Sequence, residues 1–344
     1  MEAHDDDQGT GPPPPRLVAP PDPGGGVASG RMGSDFDKGL VELGDGIYAW
    51  MQPDGGWGWS NAGLVTDGDR SLLIDTLFDL RLTAEMLDAM KEATKAAVEI
   101  DTVVNTHANG DHCFGNELAT GAEIVGSRRT AQEMSEAPPD RLAALVAAAP
   151  DLGRVGDYVQ RIFGPFHFGG ITLTTPTTVF DGEHELRVGD RRVHLIEVGP
   201  AHTGGDTLVH LPDDRIVFAG DILFHGGTPI IWAGPVENWI AACDRILAMD
   251  VDVVVPGHGP VAGKAAVSEL QGYLEFVRGE ARTRFDAGMS PIAAARDIDL
   301  GPYATWGESE RIVVNVTAMY RQWGGQPADD VVTLFSEMAE LAFQ

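Results

Sequence analysis

The sequence predicts an α/β fold. From Leu40 onwards, short apolar runs of strand length alternate with segments whose apolar residues recur at helical spacing. Turns rich in glycine and aspartate bound those runs. One run, 251–255, is almost wholly apolar, as expected of a strand covered on both faces.

Composition sets the limits of what the chain can be. Its 344 residues suffice for a large core, in one big domain or two. A hydrophobic fraction of 43% and a charged fraction of 22% are ordinary for a soluble globular protein. No apolar run approaches the roughly 18 residues of a membrane span, so no membrane association is expected. The chain opens on acidic residues and prolines rather than on a basic start and an apolar stretch, so a secretory leader is not expected. Cys113 and Cys243 provide no disulfide framework, and the compartment expected is the cytoplasm. With 24 basic and 52 acidic residues the net charge is -28. Such a surface repels phosphate backbones, which argues against nucleic acid and for a neutral or cationic small-molecule substrate.

Residues 1–33 hold proline and glycine runs with little apolar surface, and are expected to form a disordered tail. Strands follow at 41–43, 47–51, 62–66 and 71–75, with a glycine-rich loop carrying Trp57 and Trp59 between the second and third. Met86, Leu87, Met90, Ala93 and Ala97 recur at helical spacing and predict a crossover helix, and the alternation of strand and helix up to Asn105 indicates parallel pairing. Strands at 100–104 and 122–126 come next. Residues 128–163 read as helices broken at Pro138, Pro139 and Pro150. Phe163, Phe166, His167 and Phe168 are candidates for a pocket mouth, against the plainer reading that the aromatics are core. Further strands are expected at 172–174, 192–198, 207–211, 215–219 and 251–255, with a helix at 238–249. Helical spacing returns after Gly263 at Val267, Leu270, Leu274 and Val277, then at Ile312, Val316 and Met319, and at Leu334, Met338 and Leu341. Arg311, Asn315, Tyr320 and Arg321 lie on these helices with no assignment to a pocket.

The stretch 105–116 reads N-T-H-A-N-G-D-H-C-F-G-N and follows a buried strand. His107, Asp111 and His112 fall within six residues there, and imidazole and carboxylate are the usual ligands of zinc and similar ions. This stretch resembles the H-x-H-x-D-H signature of the metallo-β-lactamase superfamily, with Asn109 in place of the second histidine. Four more segments occur in that family's order: Leu72-Leu73-Ile74-Asp75, His202 in G-P-A-H-T-G-G-D, Asp221 in F-A-G-D-I-L, and His258 in V-P-G-H-G-P.

The resemblance implies a four-layer αββα sandwich over 34–263, with the helices of 264–344 packed on it as an extension. It implies that His107 and His202 bind one metal, with Asn109 in the position of that site's remaining histidine. Asp111, His112 and His258 would bind a second, and Asp221 would bridge the two. Asp75 would brace the metal-binding loop, and the loop carrying Trp57 and Trp59 would arch over the site. Two such ions would acidify a shared water, and the resulting hydroxide would attack an electrophilic centre.

Asn109 offers only an amide oxygen, a weaker donor than imidazole. Three outcomes follow: a weakened first site, coordination through oxygen that suits Mn²⁺ or Fe²⁺ as well as zinc, or a first site working alone. In the last case His107, His202 and Asp221 form a two-histidine, one-carboxylate set, as in non-haem iron oxygenases. The expected cofactor is Zn²⁺, one or two per chain.

The function expected is hydrolysis of a small, mostly uncharged ester, lactone, lactam, thioester or activated aryl ether. Trp57, Trp59 and Trp232 would contact the substrate, against the plainer reading that Trp57 and Trp59 pack on the sheet edge. Asp111 would act in catalysis, and His225 would be a proton donor to the leaving group, against the plainer reading of a loop histidine facing water. The alternatives are an iron-dependent persulfide dioxygenase and an inactive partner subunit of a hydrolase complex; assembly as a homo- or hetero-oligomer is open under each reading.

Overall fold

The computed structural model describes residues 36–327 and 330–344, together with a strand at Arg16–Val18. In chain order the elements are β1 (Arg16–Val18), β2 (Gly39–Gly44), β3 (Ile47–Met51), β4 (Ala62–Asp67), β5 (Arg70–Ile74), α1 (Leu80–Ala93), β6 (Thr102–Val104), β7 (Glu123–Ser127), α2 (Arg128–Glu136), α3 (Pro139–Ala148), α4 (Arg154–Phe163), β8 (Thr178–Phe180) and β9 (Glu183–Val188). There follow β10 (Arg191–Glu197), β11 (Thr207–Leu211), β12 (Ile216–Phe224), α5 (Val236–Ala248), β13 (Val253–His258), α6 (Lys264–Asp286), α7 (Pro291–Asp297), α8 (Ile312–Gln322) and α9 (Val331–Ala342).

Among the described residues the strands form two sheets. The first has the order β1-β2-β3-β4-β5-β6-β7-β8, antiparallel as far as β5 and parallel beyond it. The second has the order β13-β12-β11-β10-β9, with β12 and β13 parallel. Parallel pairing therefore begins only where α1 crosses over; β2 to β5, joined without a crossover helix, pair antiparallel.

The period of two along each strand sorts side chains into two cores. Leu72 and Ile74 of β5, and Ile216 and Phe218 of β12, meet between the sheets. Leu73 of β5 and Val217 of β12 point the other way, into the helix-facing core. Helix, sheet, sheet and helix stack in that order, the expected αββα sandwich. Helix α1 starts where the Asp79 carboxylate accepts from the Leu82 N–H at 2.7 Å, and it buries Met86, Leu87 and Met90 as expected.

Two expectations fail. Residues 172–174 belong to no strand, the Thr172 N–H donating to Glu117 and the Thr174 carbonyl accepting from Asn116; the strand at this place is β8, at Thr178–Phe180. Strand β9 went unexpected because its sequence, EHELRV, is largely charged: it is the edge of its sheet and needs few apolar residues. The disordered tail expected over 1–33 lies outside the described residues, except that Arg16–Val18 pairs antiparallel with β2.

Candidate metal centre

The centre forms where strands of both sheets end. Asp75 follows β5, and the loop 105–116 follows β6. His202 lies in the β10–β11 connection, Asp221 sits within β12, and His258 ends β13. Strands β12 and β13 approach closely enough that a Cβ on Gly257 would lie 1.9 Å from Asp221 Oδ1, which explains a glycine beside the histidine.

Asp75 organises the motif loop. Its Oδ1 accepts from the Thr106 N–H, and its Oδ2 accepts from the Thr106 hydroxyl, both at 2.7 Å. The same Oδ2 accepts from His112 Nδ1 at 2.9 Å. Asp75 holds a left-handed backbone, φ 60°, a conformation maintained only when surrounding contacts determine it.

All four imidazoles are held by Nδ1. His112 donates to Asp75, and His107 Nδ1 lies 3.0 Å from the Thr106 hydroxyl. His202 Nδ1 donates to the Ile230 carbonyl at 2.7 Å, and His258 Nδ1 to the Gly55 carbonyl at 3.1 Å. Every Nε2 is thereby left facing Asp221, at 3.7 Å for His107, 3.1 Å for His112, 3.3 Å for His202 and 3.5 Å for His258. Asp111 Oδ2 lies 3.4 Å from His258 Nε2 and 3.9 Å from His112 Nε2.

These donors fit a metal. His107 Nε2 is buried with no hydrogen-bond partner, and His112 Nε2 and Asp221 Oδ1, though 3.1 Å apart, form no well-aligned hydrogen bond, an arrangement costly unless a cation completes it. Two overlapping donor groups, His107–His112–Asp221 and Asp111–His112–His258, each bring their ligand atoms within 4.8 Å of one another. Asn109 Nδ2 lies 3.1 Å from His202 Nε2, so the amide is turned to donate to that ring rather than to offer its oxygen.

Electrostatics separate the rings. Burial and the neighbouring His112 hold His107 well below its ordinary value. Burial also opposes charge on His112 and His258. The carboxylates of Asp221 and Asp111 more than offset it, leaving His112 well above its ordinary value and His258 at about 9. Burial pushes Asp206 up to about 7, although it accepts from the Thr203 N–H and hydroxyl beside His202.

A family model described as the metallo-beta-lactamase superfamily matches residues 55–258. The chain belongs to the metallo-beta-lactamase superfamily. Relatives within it include the 2,4-dinitroanisole O-demethylase subunit alpha of Nocardioides sp., 23% identical over 65% of this chain and 64% of that one. The acyl-coenzyme A thioesterase MBLAC2 of Bos taurus is 25% identical over 63% of this chain and 79% of its own. A linear primary-alkylsulfatase of Pseudomonas sp. is 24% identical over 41% of this chain, and the match spans only 29% of that enzyme. Among solved structures, the inverting sec-alkylsulfatase Pisa1 from Pseudomonas sp. superposes with a TM-score of 0.63 at 16% identity, covering 86% of this chain and 52% of that one. These superfamily likenesses support the sandwich.

Over the centre lies a cavity of about 310 Å³. Asn109, Asp111, His202, Asp221 and His258 reach it from below, and Trp57, Phe114, Phe163, Trp232 and Phe335 form its walls. The structure thus brings Trp57 and Trp232 to the site. Trp59 instead packs on Phe166, ring centroids 4.8 Å apart, and does not line the cavity. Phe166 and Phe168 are core, while the His167 side chain is 80% exposed. His225 is half-buried, with Nδ1 2.9 Å from the Pro260 carbonyl and outside the cavity lining, so a proton-donor role gains no geometric support.

Sequence reasoning left Arg311 without a place. It is 2% exposed and lines the cavity. Its signal was faint, a basic residue opening an apolar helix. Among the described residues no helix is long and apolar enough to cross a membrane.

Proposed function

We propose that this metallo-hydrolase acts on a small, largely uncharged ester-like molecule with an apolar or aromatic body: an ester, lactone, lactam, thioester or activated aryl ether. The observation that carries the reading is the wall of indole and phenyl rings directly above the convergent donors. Arg311 is the one Lys or Arg among the described residues lining the cavity, and Glu308 neutralises it. That arrangement favours a neutral substrate over a polyanionic one. Two relatives named for an aryl-ether demethylase subunit and a thioesterase support this range of bonds.

The residues divide the work. His107, His202 and Asp221 would hold a first zinc ion beside Asn109. Asp111, His112, His258 and Asp221 would hold a second. Such ions supply Lewis acidity and an acidified water as nucleophile. Asp75, Thr106, Ile230 and Gly55 fix the imidazoles so that each Nε2 faces inward. Asp111 is the more open carboxylate, 8% exposed against 3% for Asp221; its Oδ2 faces His258 and His112, and we assign its other oxygen, Oδ1, to hold a proton from the nucleophilic water. Trp57 and Trp232 orient the substrate and exclude bulk water. The acidic surface favours small molecules over nucleic acid, and two buried free thiols suit a reducing compartment such as the cytoplasm.

Metal analysis of protein purified without added metal, for wild type and Asn109→His, tests this reading together with a panel of 4-nitrophenyl esters, lactones and aryl methyl ethers. Zinc in the wild type, turnover of at least one panel member, and a higher zinc-to-protein ratio in Asn109→His are expected. One iron per chain with oxygen uptake on persulfide would overturn it in favour of the oxygenase. Metal-free wild type that binds zinc only as Asn109→His would mean an inactive partner subunit.

A further inference from the structure

The helices after Gly263 are knitted into the centre by one short segment. Gly307 bridges Gly227, and the Thr228 N–H donates to the Gly307 carbonyl at 2.9 Å. Beyond that bridge Glu308 takes up a left-handed backbone, φ 59°, and the chain enters α8. Among the described residues, Asp75, Arg215 and Glu308 are the non-glycine residues in that conformation; Asp75 holds His112, and Glu308 holds the Trp57 N–H.

Arg311 faces the substrate wall. Its guanidinium lies 4.3 Å from the centroid of Trp57 and 5.5 Å from that of Phe224. Phe224 in turn stacks in parallel on His258 at 5.0 Å. Arg311 Nη1 donates to the Thr228 carbonyl at 2.9 Å, and Nη2 pairs with Glu308. Glu308 Oε1 accepts from the Trp57 N–H at 2.7 Å. The tryptophan is thus held from its backbone by the acid and from its ring face by the base.

Asn315, one turn further on, packs against the 229–231 segment and the Tyr273 hydroxyl. It is fully buried. Its Oδ1 accepts from the Ile231 N–H at 2.8 Å, and its Nδ2 donates to the Pro229 carbonyl at 2.9 Å. Between those two residues stands Ile230, whose carbonyl receives His202 Nδ1. A side-chain amide that clamps both neighbours of a residue fixes the direction of that residue's carbonyl.

We propose that Arg311 and Asn315 are positioning residues of the hydrolytic site, Arg311 setting the Trp57 wall that binds substrate and Asn315 setting the His202 ligand. The substrate half rests on the hydrolase reading above. The physical basis for Arg311 is the planar guanidinium, which stacks and forks at once; an ammonium cannot replace it. The basis for Asn315 is that outer partners tune ligand geometry.

The test compares Arg311→Lys, Asn315→Leu and wild type by three readouts: zinc affinity by competition with a chromophoric chelator, near-ultraviolet circular dichroism, and kcat and KM on 4-nitrophenyl butyrate. Arg311→Lys should raise KM roughly tenfold with kcat little changed. It should alter the aromatic circular dichroism, keep wild-type zinc affinity, and add nothing in a Trp57→Phe background. Asn315→Leu should weaken zinc about 10–100-fold and leave KM alone at saturating zinc. If either variant fails to fold, the Arg311→Met/Glu308→Gln pair and Asn315→Asp carry the same comparison.

Equal losses in all three readouts for both variants, or lowered thermal stability alone, overturn the proposal. Failure of wild type to cleave the ester bears on the hydrolase reading. The circular dichroism and zinc arms still decide whether Arg311 acts through Trp57 and Asn315 through His202.

Discussion

The two sheets supply the metal centre in opposite ways. The first delivers His107, Asn109, Asp111 and His112 on one loop after β6, all within six residues. The second delivers His202, Asp221 and His258 from three separate places in its strands and connections. The local set is aimed by side chains: Asp75 and Thr106 hold its two rings. The dispersed set is aimed by backbone carbonyls, those of Ile230 and Gly55. A ligand oriented by a carbonyl depends on whatever packs behind that carbonyl: His202 depends through Ile230 on Asn315 of the remote helix α8, whereas His258 depends on the β3–β4 loop that carries Gly55.

The most damaging change removes the residue where both sets meet. Asp221→Asn should abolish tight zinc binding and lower ester hydrolysis by more than the roughly 10–100-fold typical of an outer partner, as read by metal analysis and steady-state kinetics. Retained zinc and activity would mean that the sets do not converge on this carboxylate. Asp75→Ala sharpens the contrast on the local side. It should weaken zinc about 10–100-fold and cost about 1–3 kcal/mol of stability, because the Thr106 N–H and hydroxyl lose their buried acceptor. Chelator competition and urea unfolding measure the two effects.

On the dispersed side, Asp206 makes the His202 connection sensitive to pH. Its folded value of about 7 lies above its ordinary 3.8, so between those limits the folded chain binds more protons than the unfolded one. Stability should therefore fall as pH rises through that window, by no more than about 4 kcal/mol from this group. Urea unfolding of zinc-free protein at about pH 5 and about pH 8 reads the slope, and Asp206→Asn should flatten it. A steeper slope in the variant would assign the dependence elsewhere.

The smallest effect concerns the thiols. Cys113 adjoins the local set, and its Sγ donates to the Asn109 carbonyl at 3.3 Å. Burial pushes its thiol well above the ordinary value and Cys243 up to about 12. Neither should react with a disulfide reagent near neutral pH until the chain unfolds, and Cys113→Ala should cost about 1–3 kcal/mol without changing zinc affinity. Rapid labelling of the folded protein would show that the local loop opens.

The legibility of each residue in the sequence follows from how it is held. The motif loop was readable because its chemistry and spacing are local. His202, Asp221 and His258 were readable because each stands among glycines that let strand ends approach closely, as Gly257 does at Asp221. Strand β9 was not, since an edge strand needs no apolar signature. Trp57 and Trp59 share one loop and one chemistry, yet only Trp57 reaches the cavity. The ring that turns inward, Trp57, is the one packed against Arg311, 254 residues away in the chain.

The sequence by itself determined the α/β class, the superfamily and the set of metal-capable residues, because periodicity and short-range spacing encode strands, turns and donor types. Tertiary structure alone decided that the helices after Gly263 complete the centre, that His225 faces Pro260 rather than the cavity, and that Asn109 turns its amide toward His202. These outcomes depend on backbone carbonyls and buried contacts between distant segments, and a carbonyl is the same in every residue. Only packing gives it a direction.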